Sequence, residues 1–210
     1  MNNPWIDIDL NSYENHMSLE NVRQLQTMNQ MMKEQFSVYD VESIMVLGIA
    51  GGNGLEHIDR KKIKCVYGVD INQEYLNECS KRYTVLDTIF KPVCVDLSDL
   101  NLRLPYADLL VANLLIEYIG YGCFQNVVKA VKPKYVSCII QINTDASFVS
   151  DSPYLHVFDR LDEIHHQMQE AELVNVMQEI GYIGRLTDEQ DLPNGKKLVC
   201  IDFMNPDLQQ

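Results

Sequence analysis

The 210-residue sequence predicts one α/β domain built on a mostly parallel, seven-stranded sheet, with helices on both faces and an antiparallel hairpin at its C-terminus. Three observations lead there. Short apolar runs of strand length alternate with segments of helical periodicity through five β/α units, and such alternation places strands side by side in parallel with helices crossing over them. The first four runs stop in Gly51-Gly52, Asp70, Asp96 and Asn113, residue types that end strands and begin loops. Beyond the fifth unit, the turn residues Pro193-Asn194-Gly195 separate two further apolar runs, which is a hairpin pattern.

Taken in order, residues 12–36 have helical spacing: Leu19, Val22, Leu25, Met28, Met31/Met32 and Phe36 recur at three- and four-residue steps, with Ser18 and Asn21 as candidate caps. The first strand is Ser43–Ala50 and the second Cys65–Val69, leaving room between them for only a short helix over 55–64. A helix over Asn72–Tyr83 leads to a strand near Ile89–Val95. A fourth strand over Ala107–Ala112 precedes a helix over Tyr118–Val131, which Lys132-Pro133 closes. Tyr135–Ile142 forms a fifth strand. A helix over about Leu161–Ile180 follows, because Leu161, Ile164, Met168, Leu173, Val176/Met177 and Ile180 share a face. Tyr182–Leu186 and Lys197–Phe203 form the hairpin. Residues 1–40 read as a helical cap or lid on a core spanning 41–210, with the methionine stripe of the cap as core packing and Tyr13, His16 and Met17 ahead of it over the site.

Composition narrows the class. Hydrophobic residues make up 46% of the chain and charged residues 22%, which excludes a disordered, fibrous or coiled-coil protein. No apolar run has the roughly 18 residues of a membrane span and the N-terminus shows no secretion signal, so the expected location is the cytoplasm. The net charge of −13 is concentrated in the flanks: −4 over residues 1–40 and −8 over 151–210, against −1 between them. Such a surface repels a polyphosphate backbone, so neither nucleic acid nor membrane is expected as a partner. The six cysteines form no C-x-x-C pair and the five histidines no metal-ligand spacing, which argues against disulfides and metal.

In an open parallel sheet the ligand lies at the carboxyl ends of the strands. The residues found there are Ala50-Gly51-Gly52-Asn53-Gly54 after strand one, Asp70-Ile71 after strand two, Asp96-Leu97 after strand three and Asn113-Leu114-Leu115 after strand four. Glycines let a backbone turn sharply and approach a ligand, and an acid sixteen residues beyond Gly54 can accept hydrogen bonds from two ribose hydroxyls. Residues 46–54, reading Val-Leu-Gly-Ile-Ala-Gly-Gly-Asn-Gly, together with Gly68-Val69-Asp70, Val95-Asp96-Leu97 and residues 107–113, resemble the class I S-adenosylmethionine-dependent methyltransferases over roughly residues 40–205. The resemblance implies a Rossmann-like fold, S-adenosylmethionine as cofactor and S-adenosylhomocysteine as product. By that resemblance Gly48, Ala50, Gly51, Gly52, Asn53 and Gly54 lie along the methionine part of the cofactor. Asp70 and Ile71 then bind at the ribose, Asp96 and Leu97 at the adenine, and the segment from Asn113 to Tyr118 lines cofactor and acceptor.

The chain departs from the family pattern at two places: Gly48 stands where members usually carry Asp or Glu, and Ala50 replaces the first loop glycine. The lost carboxylate is one that would help hold the methionyl amino group. Asn113 is followed by Leu114-Leu115-Ile116 rather than the Pro-Pro-aromatic sequence of enzymes acting on base amines, and no Pro-Cys nucleophile pair is present. The expected acceptor is therefore a small molecule or a protein side chain. Glu117 and Tyr118 are the candidate catalytic residues, with His156 a weaker candidate base. Two other classes stay open: a non-catalytic cofactor-binding scaffold and a nicotinamide-dependent oxidoreductase. The latter's third fingerprint glycine would fall on His57.

Overall fold

The computed structural model describes residues 3–99, 101–143, 149–150 and 152–208. The order of elements is α1 (Leu10–Ser18), α2 (Gln24–Gln35), β1 (Ser43–Leu47), β2 (Cys65–Asp70), α3 (Gln73–Arg82), β3 (Phe90–Cys94), β4 (Leu109–Asn113), α4 (Ile116–Val131), β5 (Tyr135–Ile142), α5 (Glu170–Glu179), β6 (Ile183–Asp191) and β7 (Lys197–Met204). They form one seven-stranded sheet in the order β3-β2-β1-β4-β5-β7-β6. All neighbours from β3 to β5 pair in parallel, and β7 runs antiparallel to both β5 and β6. The strand order reverses between β1 and β4, which opens a crevice at their carboxyl ends.

Both sheet faces are buried, so the central strands are apolar on both sides. Met45, Leu47, Leu110, Ala112 and Cys138 face Phe124 and Val127 of α4 and Leu173 and Met177 of α5. Alternate residues Ile44, Val46, Leu109 and Val111 face Met28, Met31 and Met32 of α2 and Leu76 and Cys79 of α3. The methionine stripe is thus core, as its spacing suggests. A smaller third cluster joins Ile8, Phe158 and Leu161, with Trp5, Tyr13 and Tyr118 against it. No helix among the described residues is long and apolar enough to cross a membrane.

Three expected elements differ from the observed ones. The helix expected over 12–36 is two helices: Asp9 caps α1 by accepting from Ser12 N (2.8 Å), and the chain then turns at Leu19–Arg23, with Arg23 left-handed at φ 50°. Val22 is completely buried in that turn, so packing overrides a periodicity that would allow one continuous helix. The helix expected over 161–180 is a 3-10 segment at Leu155–Glu163, an extended stretch and then α5. The chain leaves the helical path because the His166 amide donates to the Glu117 carbonyl (2.7 Å). Strand β6 runs on to Asp191, past a bulge between Leu186 and Asp188.

At the opposite end of the sheet from the crevice, Asp108 ties β1 to β4. Its Oδ2 accepts from Ser43 N (3.0 Å), Ser43 Oγ (2.7 Å) and Glu42 N (3.2 Å), and Oδ1 from Tyr106 OH (2.8 Å). Burial raises its pKa, but these bonds and Lys134 outweigh it and hold the carboxyl down at about 2. A depressed folded pKa gives stability that is full above the unfolded pKa of about 3.9 and is lost as pH falls through the folded value. Asp108→Asn should therefore cost about 1–2 kcal/mol above pH ~5. Urea denaturation should show that gap closing between pH ~4 and ~2, and a pH-independent gap would contradict the assignment.

Candidate functional site

The loop after β1 turns by alternating left-handed residues: Gly48 at φ 62°, Ala50 at 47°, Gly52 at 88° and Gly54 at 86°. Ala50 holds a conformation costly to any residue with a Cβ, and it is kept there by its amide, which donates to Asp70 Oδ2 (2.9 Å). The other oxygen of Asp70 accepts from Asn72 N (2.9 Å). Asn72 caps α3 through Oδ1, while its Nδ2 donates to the carbonyls of Trp5 (3.0 Å) and Ile6 (3.3 Å). One carboxylate and one amide therefore join the glycine loop, β2, α3 and the N-terminal segment. Burial pushes the Asp70 carboxyl up, and the amides of Asn72, Ala50 and Ile71 pull it back.

Between these parts lies a cleft of about 680 Å³, partly open to solvent. Of the residues the sequence singled out, Gly48, Ala50, Asp70, Ile71, Asp96 and Leu97 line it, as do Asn113 and Tyr118. Gly51 and Asn53 line an adjoining recess of about 420 Å³. Gly52 and Gly54 line neither. A Cβ on Gly52 would stand 2.7 Å from the Tyr83 ring and 2.8 Å from Cys79 Sγ, and one on Gly54 would stand 2.8 Å from Met32 Sδ. Those two glycines let α2 and α3 pack against the loop. At Gly48 a Cβ would meet Leu115 Cδ1 at 3.0 Å with φ positive, so no carboxylate side chain fits there without strain.

The Asn113 side chain turns away from the cleft to Gln35 of α2, in a two-point amide pair of 3.0 and 2.8 Å, and also accepts from Ile139 N (3.2 Å). Gln35 is buried and donates to Ser137 Oγ as well (2.8 Å). Nothing in the local sequence marks Gln35, because its partners lie 78 and 102 residues away. His156 lies outside these cavities, 93% exposed and 3.5 Å from Asp159.

A second chamber of about 570 Å³ shares Trp5, Tyr13, Leu114 and Tyr118 with the cleft. Trp5 meets Tyr13 and Tyr118 edge to face, with centroids 5.6 and 5.0 Å apart, and His165 meets Tyr118 at 5.9 Å. Glu117 lies in its wall. Oε1 accepts from Gln141 N (2.9 Å), whereas Oε2 is buried without a hydrogen-bond partner among the described residues. Burial raises the Glu117 pKa to about 7, against a partial lowering by the Gln141 amide. His16 and His165, also in the wall, are held below the usual histidine range, first by burial.

The backbone explains how Glu117 and Tyr118 come to this place. Leu114 is left-handed at φ 52°, and Gly120 (φ 73°, ψ 162°) breaks α4 after its first turn. The carbonyl of Glu117, freed by the break, takes the His166 amide. That short first turn is thereby aimed separately from the core-packed remainder of α4.

Comparison with known proteins agrees with this architecture. Residues 45–136 match the family model described as a methyltransferase domain. No curated protein matches the sequence. The methyltransferase domain of bacterial CtHen1-C superposes with TM-score 0.63 at 18% identity, over 94% of this chain and 99% of that one. Magnesium protoporphyrin IX methyltransferase (ChlM) of Synechocystis PCC 6803, solved with SAH bound, gives 0.59 at 10% identity over 87% and 82%. The YcgJ protein of Bacillus subtilis gives 0.62 at 8% identity over 86% and 98%. The scaffold and nicotinamide alternatives find no support in these matches.

A buried carboxyl with a raised pKa loses stability as it ionises. The native state holds the Glu117 proton up to about pH 7, whereas the unfolded chain releases it near 4.3, so stability falls as pH rises across that window. Glu117→Gln should unfold at higher temperature than wild type at pH 8, by an amount equivalent to about 3–4 kcal/mol, and the gain should vanish below pH ~4.5. Thermal melts of the two proteins at both pH values test this, and equal melting at pH 8 would mean that the carboxyl is not strained by burial.

Proposed function

We propose that this protein, a class I S-adenosylmethionine-dependent methyltransferase by its domain match and fold, methylates a small molecule bound in the second chamber, with Glu117 as the general base. The observation carrying this reading is the unpartnered Oε2 of Glu117 inside a chamber that shares a wall with the cleft.

The cleft fits the cofactor. Asp70 uses one lone pair on each oxygen for backbone amides, which leaves the others for the ribose hydroxyls. Ile71, Leu97 and Leu115 supply apolar surface for a flat ring, with the Asp96 carboxylate at its edge. Bound there, S-adenosylmethionine supplies a methyl carbon made electrophilic by a positively charged sulfur.

The chain's own work is positioning, exclusion of water and proton removal. Trp5, Tyr13 and Tyr118 roof the shared wall, and Phe158 and Leu161 close the chamber from the other side. An acceptor O–H or N–H hydrogen-bonded to Glu117 Oε2 would satisfy the buried oxygen, and the carboxylate would take its proton as the acceptor atom is methylated. A pKa near 7 suits that exchange at neutral pH. Tyr118 stays protonated, since burial and the neighbouring Glu117 and Tyr13 push its phenol far up, so it serves as a wall and hydrogen-bond donor rather than a base.

The acidic flanks disfavour a polyanionic acceptor, which leaves a small molecule as the preferred one. Of residues 1–40, those ahead of α2 act on this reading as the lid, with Trp5, Tyr13 and His16 lining the cavities, while α2 packs into the core.

A screen of small phenols, amines and carboxylic acids with methyl-labelled cofactor should yield a labelled product. On that acceptor Glu117→Gln should lower kcat about 10²- to 10⁴-fold, with S-adenosylhomocysteine affinity unchanged. Wild-type kcat should rise with pH to a plateau above about 7, because the base acts when ionised. A fully active Glu117→Gln enzyme would remove this residue from the chemistry.

A further inference from the structure

We infer that Glu14, delivered by α1, is the acid that holds the amino group of the cofactor's amino-acid end, so that the N-terminal cap forms part of the cofactor site. This rests on the methyltransferase reading above. S-adenosylmethionine carries an α-ammonium, and a cation taken from water into a recess needs an anion or several acceptors beside it. The recess along the glycine loop continues from the main cleft past Tyr13, Gly48, Ala50 and Asn113. Glu14 is the one acidic side chain among the described residues that line it. Position 48, on the loop itself, cannot supply one, because an L side chain there would be strained and would meet Leu115.

The carboxylate is already on the loop. A Cβ built on Gly51 would lie 2.2 Å from Glu14 Oε1, so the bare glycine is what lets the acid seat there. Arg82 of α3 orients it through two parallel bonds, Nη1 to Oε1 (2.5 Å) and Nη2 to Oε2 (3.0 Å). A bidentate arginine fixes the plane of a carboxylate and leaves each oxygen further acceptor capacity. Glu14 is 24% exposed at the side chain, enough for access yet sheltered from full solvent screening. The same ion pair fastens α1 to α3, and Tyr75 OH on the Ile8 carbonyl (2.8 Å) and Asn72 on the Trp5 carbonyl fasten the segment just ahead of α1. Closing the cap and completing the ammonium site are therefore one event.

The test compares S-adenosylhomocysteine with 5′-methylthioadenosine, which has the same adenosine and sulfur but no amino-acid end, by calorimetric titration of the full-length protein. Wild type should bind the first more tightly. Glu14→Gln should weaken S-adenosylhomocysteine about 10-fold or more and change 5′-methylthioadenosine less than about twofold. Arg82→Met, which releases the acid from its clamp but keeps it, should narrow the preference between the two ligands without removing it. Hydrogen exchange adds a readout independent of affinity: α1 amides should gain more protection from S-adenosylhomocysteine than from 5′-methylthioadenosine.

Equal loss of both ligands in Glu14→Gln would overturn the proposal by reducing Glu14 to a cap fastener. No preference in wild type would overturn it while leaving the methyltransferase reading intact. Binding of neither ligand by wild type would overturn both.

Discussion

The carboxylate of Asp70 is the point on which the site depends. It stands at the end of β2, where the sheet opens beside the topological switch, and accepts backbone amides on both oxygens. Through Ala50 it fixes a loop that contains four left-handed residues in seven. Through Asn72 it fixes the start of α3, and Asn72 in turn holds the N-terminal segment by its carbonyls. A buried carboxylate is costly unless its lone pairs are used. Here the backbone uses part of that capacity, and what is left faces the cleft. The residue that organises the fold locally is therefore the one left with acceptors for a ligand.

The two cavities differ in their electrostatics, and the difference suits divided labour. The cleft borders Asp70 and the exposed Asp96 and stays partly open to water. The neighbouring chamber is walled by aromatic rings and by two histidines held below their usual range by burial, and Glu117, the one acid among its described lining residues, is pushed towards neutrality by burial. Burial of that carboxyl makes a single hydrogen bond or proton transfer to it matter more than it would in water. The break at Gly120 is the structural device behind this, because a continuous α4 would commit Glu117 and Tyr118 to the packing direction of Phe124 and Val127. Strain at Leu114 and Ala50 is concentrated at the same place, as is common where geometry is set by a ligand rather than by packing.

The cap is more than a cover. Trp5 and Tyr13 stand in the shared wall of cleft and chamber, His16 hydrogen-bonds Ser152 (2.7 Å) across the chamber's rim, and Gln24 of α2 reaches Gln141 of β5 (2.7 Å). Helix α2 belongs to the core through its methionines, whereas α1 packs on α2 and on the 155–163 segment and is tied to α3 by the Glu14–Arg82 ion pair. The boundary between what packs and what covers thus falls near residue 20, inside the segment whose periodicity suggests one helix.

By itself the sequence determined the strand–helix alternation, the hairpin and the residues at strand ends, because these follow from local pattern: period 2 or 3.6 in apolar residues, and glycine, aspartate or asparagine where the chain must turn. Asp70 and Asp96, at strand ends on the cleft, were legible for that reason, and the methionine stripe was legible as core. Only the tertiary structure decided which loop glycines line the cleft and its recess, since Gly52 and Gly54 sit against Tyr83, Cys79 and Met32 instead. It also decided that Asn113 turns to Gln35, that α1 breaks from α2, that His166 plugs the bend in α4, and that Glu14 reaches the loop. Each of these is a contact between residues tens of positions apart, or a local preference overruled by such a contact. No window of sequence contains both partners, so spacing alone could not show them.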